Sequence, residues 1–203
     1  MFRRKLSSGV VSFLTALLLA ACGTTTVTPM IRPTGGLPRP DRVLVFDFAV
    51  TPQEAGLERS PRFVRQTEEE TRVGRAVAHA LSVNLVRELR NLGIEAYRAS
   101  ETSPPGETTA SIRGRFLRTD QGDSTSGTPV GFAFGREIRT HVQFYQGSGR
   151  NLQLVGEGEA TTQSSVKPGT GATPDFVEAD AQRTARAVAE RVASYYRREG
   201  WIK

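Results

Sequence analysis

The chain has 203 residues, of which 37% are hydrophobic and 24% charged. Those proportions suit one globular domain with additional segments and exclude a mainly disordered protein. The formal charge of +6 falls to 24 basic against 21 acidic residues once Arg3, Arg4 and Lys5 are assigned to an N-terminal leader. Several basic residues sit beside acids, as Arg72 and Arg75 follow Glu68-Glu69-Glu70. With no one-sign basic helix and no RNA-binding aromatic set, a nucleic-acid partner is not expected.

Residues 1–21 have a basic head and an apolar run from Val10 to Ala21. That run is well short of the roughly 20 residues that span a bilayer as a helix. It suits the hydrophobic region of a secretory signal, which ends in small side chains beside the cleaved bond. Leu19-Ala20-Ala21-Cys22 resembles the bacterial lipobox, and Cys22 is the only cysteine of the chain. The resemblance implies cleavage before Cys22 and lipid on its sulfur. Attachment by several acyl chains is effectively permanent, since each buried methylene contributes about 0.8 kcal/mol. Position 23 is Gly rather than the Asp associated with inner-membrane retention. The expected address is therefore the outer membrane, facing the periplasm.

Residues 22–41 read as the lipidated cysteine and a flexible tether, rich in Thr, Gly and Pro. Fully stretched, such a segment reaches about 60 Å. Residues 42–203 read as a single globular α+β domain. Val43 to Val50 is a short apolar run suited to a buried strand. Residues 51–67 read as a loop. Thr67 is positioned to cap a helix whose first turn holds Glu68, Glu69 and Glu70. Val73, Val77, Leu81, Leu85, Leu89 and Leu92 form its apolar stripe, and Gly93 suits the position just past its end. Ile94 to Arg98 alternates as a strand does, which suggests a βαβ crossover between parallel neighbours.

Alternation then returns in three stretches: Ala110–Phe116, Ile138–Phe144 and Leu152–Ala160. These read as antiparallel strands, the last two joined at Gly147-Ser148-Gly149-Arg150. Asp175 heads a closing helix with Phe176, Val177, Ala181, Ala185, Val188, Val192 and Tyr195 on one stripe. The expected assembly is a mixed sheet of about five strands, with a βαβ opening followed by antiparallel strands. Two helices pack on one face.

Taken in order, the lipobox, the Val43–Val50 strand and the helix ending Leu89-Arg90-Asn91-Leu92-Gly93-Ile94 resemble the bacterial lipoproteins grouped as domain of unknown function 4410. Ile112-Arg113-Gly114-Arg115-Phe116, Gly131-Phe132-Ala133-Phe134-Gly135 and the Ala-rich closing helix extend the likeness over nearly the whole mature chain. The strand–helix–strand opening is also similar to the curli-secretion lipoprotein and to the N-terminal domain of the Tol-system beta-propeller protein. The resemblance implies an assembly or binding role, although a shared fold does not by itself confer a function.

The search for chemistry returns no catalytic set. His79 lies among Ala78, Ala80 and Leu81 and reads as a partly buried helix histidine, and His141 on the polar face of a strand reads as a surface one; neither has a metal-ligand spacing. Asp47 interrupts an apolar strand, which requires a paired or strand-end position. Asp120 and Asp123 lack the spacing of a calcium loop. Gly131, Phe132, Phe134 and Gly135 form a candidate interaction segment, the two rings sharing one face of an extended stretch. Neither an enzyme nor a cofactor or metal is expected. The expected partners are the membrane, through lipid on Cys22, and an envelope protein or further copies of the chain. The alternative is a binding module for envelope polymers or small ligands, such as peptidoglycan or lipopolysaccharide, with the loops at 51–67 and 163–175 as its mouth.

Overall fold

The computed structural model describes residues 25–27, 30–31, 37–57, 66–99, 108–117, 137–148, 151–163 and 174–203, the side chains of 30–31 and 174–177 excepted. The elements run β1 (Thr25–Val27), β2 (Met30–Ile31), β3 (Arg42–Val45), α1 (Glu68–Asn91), β4 (Ala96–Arg98), β5 (Thr109–Leu117), β6 (Glu137–Ser148), β7 (Asn151–Gln163) and α2 (Pro174–Arg198). The fold is α+β, as the sequence implied.

One mixed sheet has the order β1-β7-β6-β5-β3-β4, with β2 also pairing β7. β3 is parallel to both β4 and β5, whereas β5, β6 and β7 are antiparallel in succession. The βαβ opening and the run of antiparallel strands are thus both present. Two short strands enlarge the sheet beyond the expected five. They come from the stretch read as tether: Thr25, Thr26 and Val27 pair with Thr162, Thr161 and Ala160, and Met30 and Ile31 pair with Glu157 and Gly156. β-branched threonine and valine suit a strand, and the long β7 offers them an unpaired edge.

β3 is shorter than its apolar run. After Val45 the chain leaves the ladder, and Ala49 rejoins it only as a single bridge to Arg115. Phe48 still enters the core. A Cβ at Gly114 would stand 2.2 Å from the Phe48 ring and 2.9 Å from the His141 carbonyl, so only glycine lets that ring cross the sheet there.

α1 begins and ends as its residues dictate. The Thr67 hydroxyl accepts from the Glu70 N–H, and the Glu70 carboxylate accepts from the Thr67 N–H at 2.8 Å, a reciprocal capping box. Gly93 has φ of +78°, the left-handed conformation that closes a helix at low cost only for glycine. Leu81, Leu85 and Leu89 are buried against Val43, Val45 and Ile112 of the sheet. α2 lies beside α1 and contributes Ala185, Val188, Ala189 and Tyr195 to the same core. Its C-terminal end closes an aromatic cluster, in which Tyr195 and Tyr196 meet the Trp201 ring edge-on at 5.5 and 5.1 Å. Among the described residues, no helix is long and apolar enough to cross a membrane.

Candidate functional site

Cys22 with Leu19, Ala20 and Ala21, and the segment Gly131, Phe132, Phe134 and Gly135, lie outside the described residues. So do 58–65 and 164–173, parts of the two stretches read as a mouth. The remaining sequence candidates can be placed.

Asp47 is paired. Its carboxylate accepts from Arg98 of β4, 2.8 Å to each oxygen, and from the Ser82 hydroxyl of α1. It therefore ties the end of β3 to β4 and α1, which explains a charge at the end of an apolar strand. His79 is exposed, against the expectation of a partly buried helix histidine. His141 is the more enclosed of the two, with 12% of its side chain exposed. It sits on the sheet face opposite the helices, between Arg115 of β5 and Glu159 of β7 in register. Burial, then the Arg115 charge, lower its pKa from the usual imidazole value, although Glu157 stands 3.4 Å away. Arg139 pairs with Glu159 at 2.6 Å on the same face, and the Arg113 guanidinium lies over the Phe46 ring at 4.4 Å. Among the described residues, no three or more His, Cys, Asp and Glu side chains converge as a metal site.

Among the described residues, α2 borders two concavities of note. The first is a narrow apolar groove beneath β1, lined by Val27, Val142, Phe144, Val188 and Val192. Its floor is Gly156 and Gly158 of β7, whose missing side chains leave the space. The second is polar and lies at the opposite end of the strands. Arg39, Pro40 and Asp41 before β3, Gly93, Ile94 and Glu95 before β4, and Tyr196 of α2 enclose a recess of about 440 Å³.

The second recess has the more distinctive chemistry. Its wall before β3 is fixed from two directions: the Asp41 N–H donates to the Thr108 carbonyl at 2.9 Å, and the buried Gln146 side chain donates to the Pro38 carbonyl at 2.6 Å. Gln146 in turn accepts from the Tyr195 hydroxyl at 3.2 Å. Asp41 accepts from the Thr108 hydroxyl, and Glu95 from Tyr97. Tyr196 differs from these satisfied groups. It is 2% exposed, and among the described residues its hydroxyl has no hydrogen-bond partner. Burial, then Tyr195, push its pKa well above the usual phenol value, opposed by the Arg39 charge. A buried unpaired hydroxyl carries a desolvation cost that a ligand acceptor relieves. Cation, carboxylates and phenol together suit a small polar molecule bearing both charges.

Nothing in the sequence marked this recess. Arg39, Asp41, Glu95 and Tyr196 have no shared motif, and only the fold brings them together. The signal that could have pointed to it is Tyr196 itself, the second tyrosine of a helix that needs only one on its apolar stripe.

Residues 43–187 match the family described as Domain of unknown function (DUF4410). No curated protein matches the chain. Among solved structures, the PelC dodecamer of Paraburkholderia phytofirmans is similar in two crystal forms. The identities are 16% and 15%, with 83% of this chain and 98% of that chain covered and TM-scores of 0.35 and 0.36. A protein from Caulobacter crescentus CB15, described as a candidate lipoprotein, is 18% identical over 61% of this chain and 85% of that chain, with a TM-score of 0.31. Scores this low do not establish a shared architecture.

Proposed function

The chain belongs to the family described as Domain of unknown function (DUF4410), and from that premise we propose that it is an envelope lipoprotein that acts through protein contacts rather than by catalysis. The observation that carries the reading is Cys22, the only thiol of the chain, standing directly after a short apolar run and Leu19-Ala20-Ala21. A basic head, a run too short to span and small residues before Cys22 are the features a lipid-attachment signal requires, and they support this reading. Gly23 supports the outer membrane, with the domain facing the periplasm. The expected partners are an envelope protein or further copies of the chain.

Replacing Cys22→Ser tests this directly. The substitution should abolish labelling by radioactive palmitate and move the protein out of the membrane fraction. Retained labelling, or unchanged fractionation, would contradict it.

A second reading is favoured by the unpartnered Tyr196 hydroxyl. The recess of Arg39, Asp41, Glu95 and Tyr196 would take a small polar group from an envelope polymer, such as a peptidoglycan stem peptide. Binding to purified peptidoglycan should then weaken when Tyr196→Phe and Arg39→Ala are introduced together. No binding by the unaltered protein to peptidoglycan or lipopolysaccharide would remove this reading.

A further inference from the structure

The lipid anchor is followed almost at once by the sheet. Only Gly23 and Thr24 separate Cys22 from β1. At about 3.6 Å per residue, the Cα of Cys22 lies no further than about 11 Å from that of Thr25. The segment read as a long tether therefore gives little freedom if β1 stays in place.

β1 is held by more than its backbone ladder. The Thr25 hydroxyl lies 3.1 Å from that of Thr162, and the Thr162 hydroxyl lies 2.7 Å from that of Thr184 in α2. The Thr184 hydroxyl donates to the Asp180 carbonyl at 3.0 Å. Each hydroxyl has one proton, so Thr184 must accept from Thr162, and Thr162 must accept from Thr25. Three threonines thus form a directed chain from β1 through β7 into α2. Thr162 and Thr184 are 0% and 1% exposed, so breaking the chain leaves polar groups buried. α2 also packs directly against β1.

We propose that the corner of the domain formed by Thr25, Thr162, Gln163 and the start of α2 is held against the lipid surface. The threonine chain makes the N-terminal segment a short strut rather than a leash. The occupant of this surface is the bilayer that carries the anchor, and the inference rests on lipidation of Cys22 as proposed above. The other end of β7, at Asn151, is about 35 Å away along the strand. Arg42 of β3 pairs with Thr109, which pairs with Gly147, so the polar recess before β3 belongs to that far end. The strut would turn the recess away from the membrane and toward the periplasm.

The test uses the full lipidated protein in vesicles containing lipids spin-labelled at the headgroup. Gln163→Cys and Ser148→Cys are made separately and labelled with a fluorophore. Both positions are exposed strand ends, and the proposed lipid on Cys22 would leave the introduced thiol as the one free to react. Strong quenching at 163 with little at 148 is the expected result. A flexible Gly/Ser insert of about 20 residues after Thr24, spanning about 25 Å, should then relieve the quenching at 163. Equal quenching at both positions, or quenching at 163 that survives the insert, would overturn the strut. Absence of lipid on Cys22, read by mass spectrometry of the same sample, would instead refute the proposed anchor.

Discussion

At one edge of the core sheet, β7 runs for 13 residues and its outer side is paired with β1 and β2 at 156–157 and 160–162. At the other, β4 has only three residues, and the Arg90 Nε of α1 donates to the Ala96 carbonyl at 2.7 Å. The Val43 N–H bonds the Glu95 carbonyl and the Ala99 N–H bonds the Val45 carbonyl, so alternation turns the Ala96 carbonyl away from β3. The same guanidinium lies 5.0 Å from the centre of the Tyr97 ring. An unpaired edge is a template for wrong partners. A long edge needs a strand of its own, whereas a short one needs only a single side chain. The difference teaches that the N-terminal segment is structural at the edge where an anchor would join it.

Deleting 25–31 should break the comparison most severely. It uncovers β7 and removes the partly buried Val27 that packs against the core, at a cost of about 2–4 kcal/mol. Size-exclusion chromatography should show larger species than the intact protein forms. Thr162→Val keeps the shape but interrupts the hydroxyl chain, and should cost about 1–2 kcal/mol in urea unfolding. Amide exchange should accelerate in β1 before it does in β6. Arg90→Ala should cost only about 0.5–1 kcal/mol, from one hydrogen bond and one stacked cation. It should leave the protein in its original oligomeric state, because three residues offer little to pair with.

The smallest effect concerns the sheet interior between these edges. Burial, then Arg115, hold His141 below its usual pKa. On acidification the unfolded chain therefore takes up the proton first. The contribution of the neutral imidazole is complete above the unfolded value of about 6.5 and is lost as pH falls toward the lower folded value. Stability measured from pH 7 to 5 should fall, and His141→Gln should flatten part of that slope without moving the edges.

Sequence legibility divided along the same line. α1 was readable from Thr67, Glu70 and Gly93 because caps are local chemistry. β5, β6 and β7 were readable from alternation, since each presents one face to the helices. β1 and β2 were not. Two or three residues beside Pro29 and Pro33 give no periodicity, and their partners lie more than 120 positions away in the sequence. Val43–Val50 reads as one strand because apolar character reports burial, and Phe48 and Val50 are buried without lying in the ladder. The recess at Tyr196 stayed hidden for a related reason, as its groups meet only after β3, β4 and α2 have packed.

The placement of β1 is tested most directly by Thr26→Cys with Thr161→Cys in the lipidated protein. These positions are direct cross-strand partners, and opposed Cα atoms in antiparallel strands lie about 4.5–5.5 Å apart, within disulfide range. Mild oxidation should link them, giving a joined peptide by mass spectrometry, while Thr26→Cys with the exposed Ser148→Cys stays unlinked. If the first pair remained open, with Thr26→Cys freely labelled by a thiol reagent, the N-terminal segment would be a loose leash and not a strand.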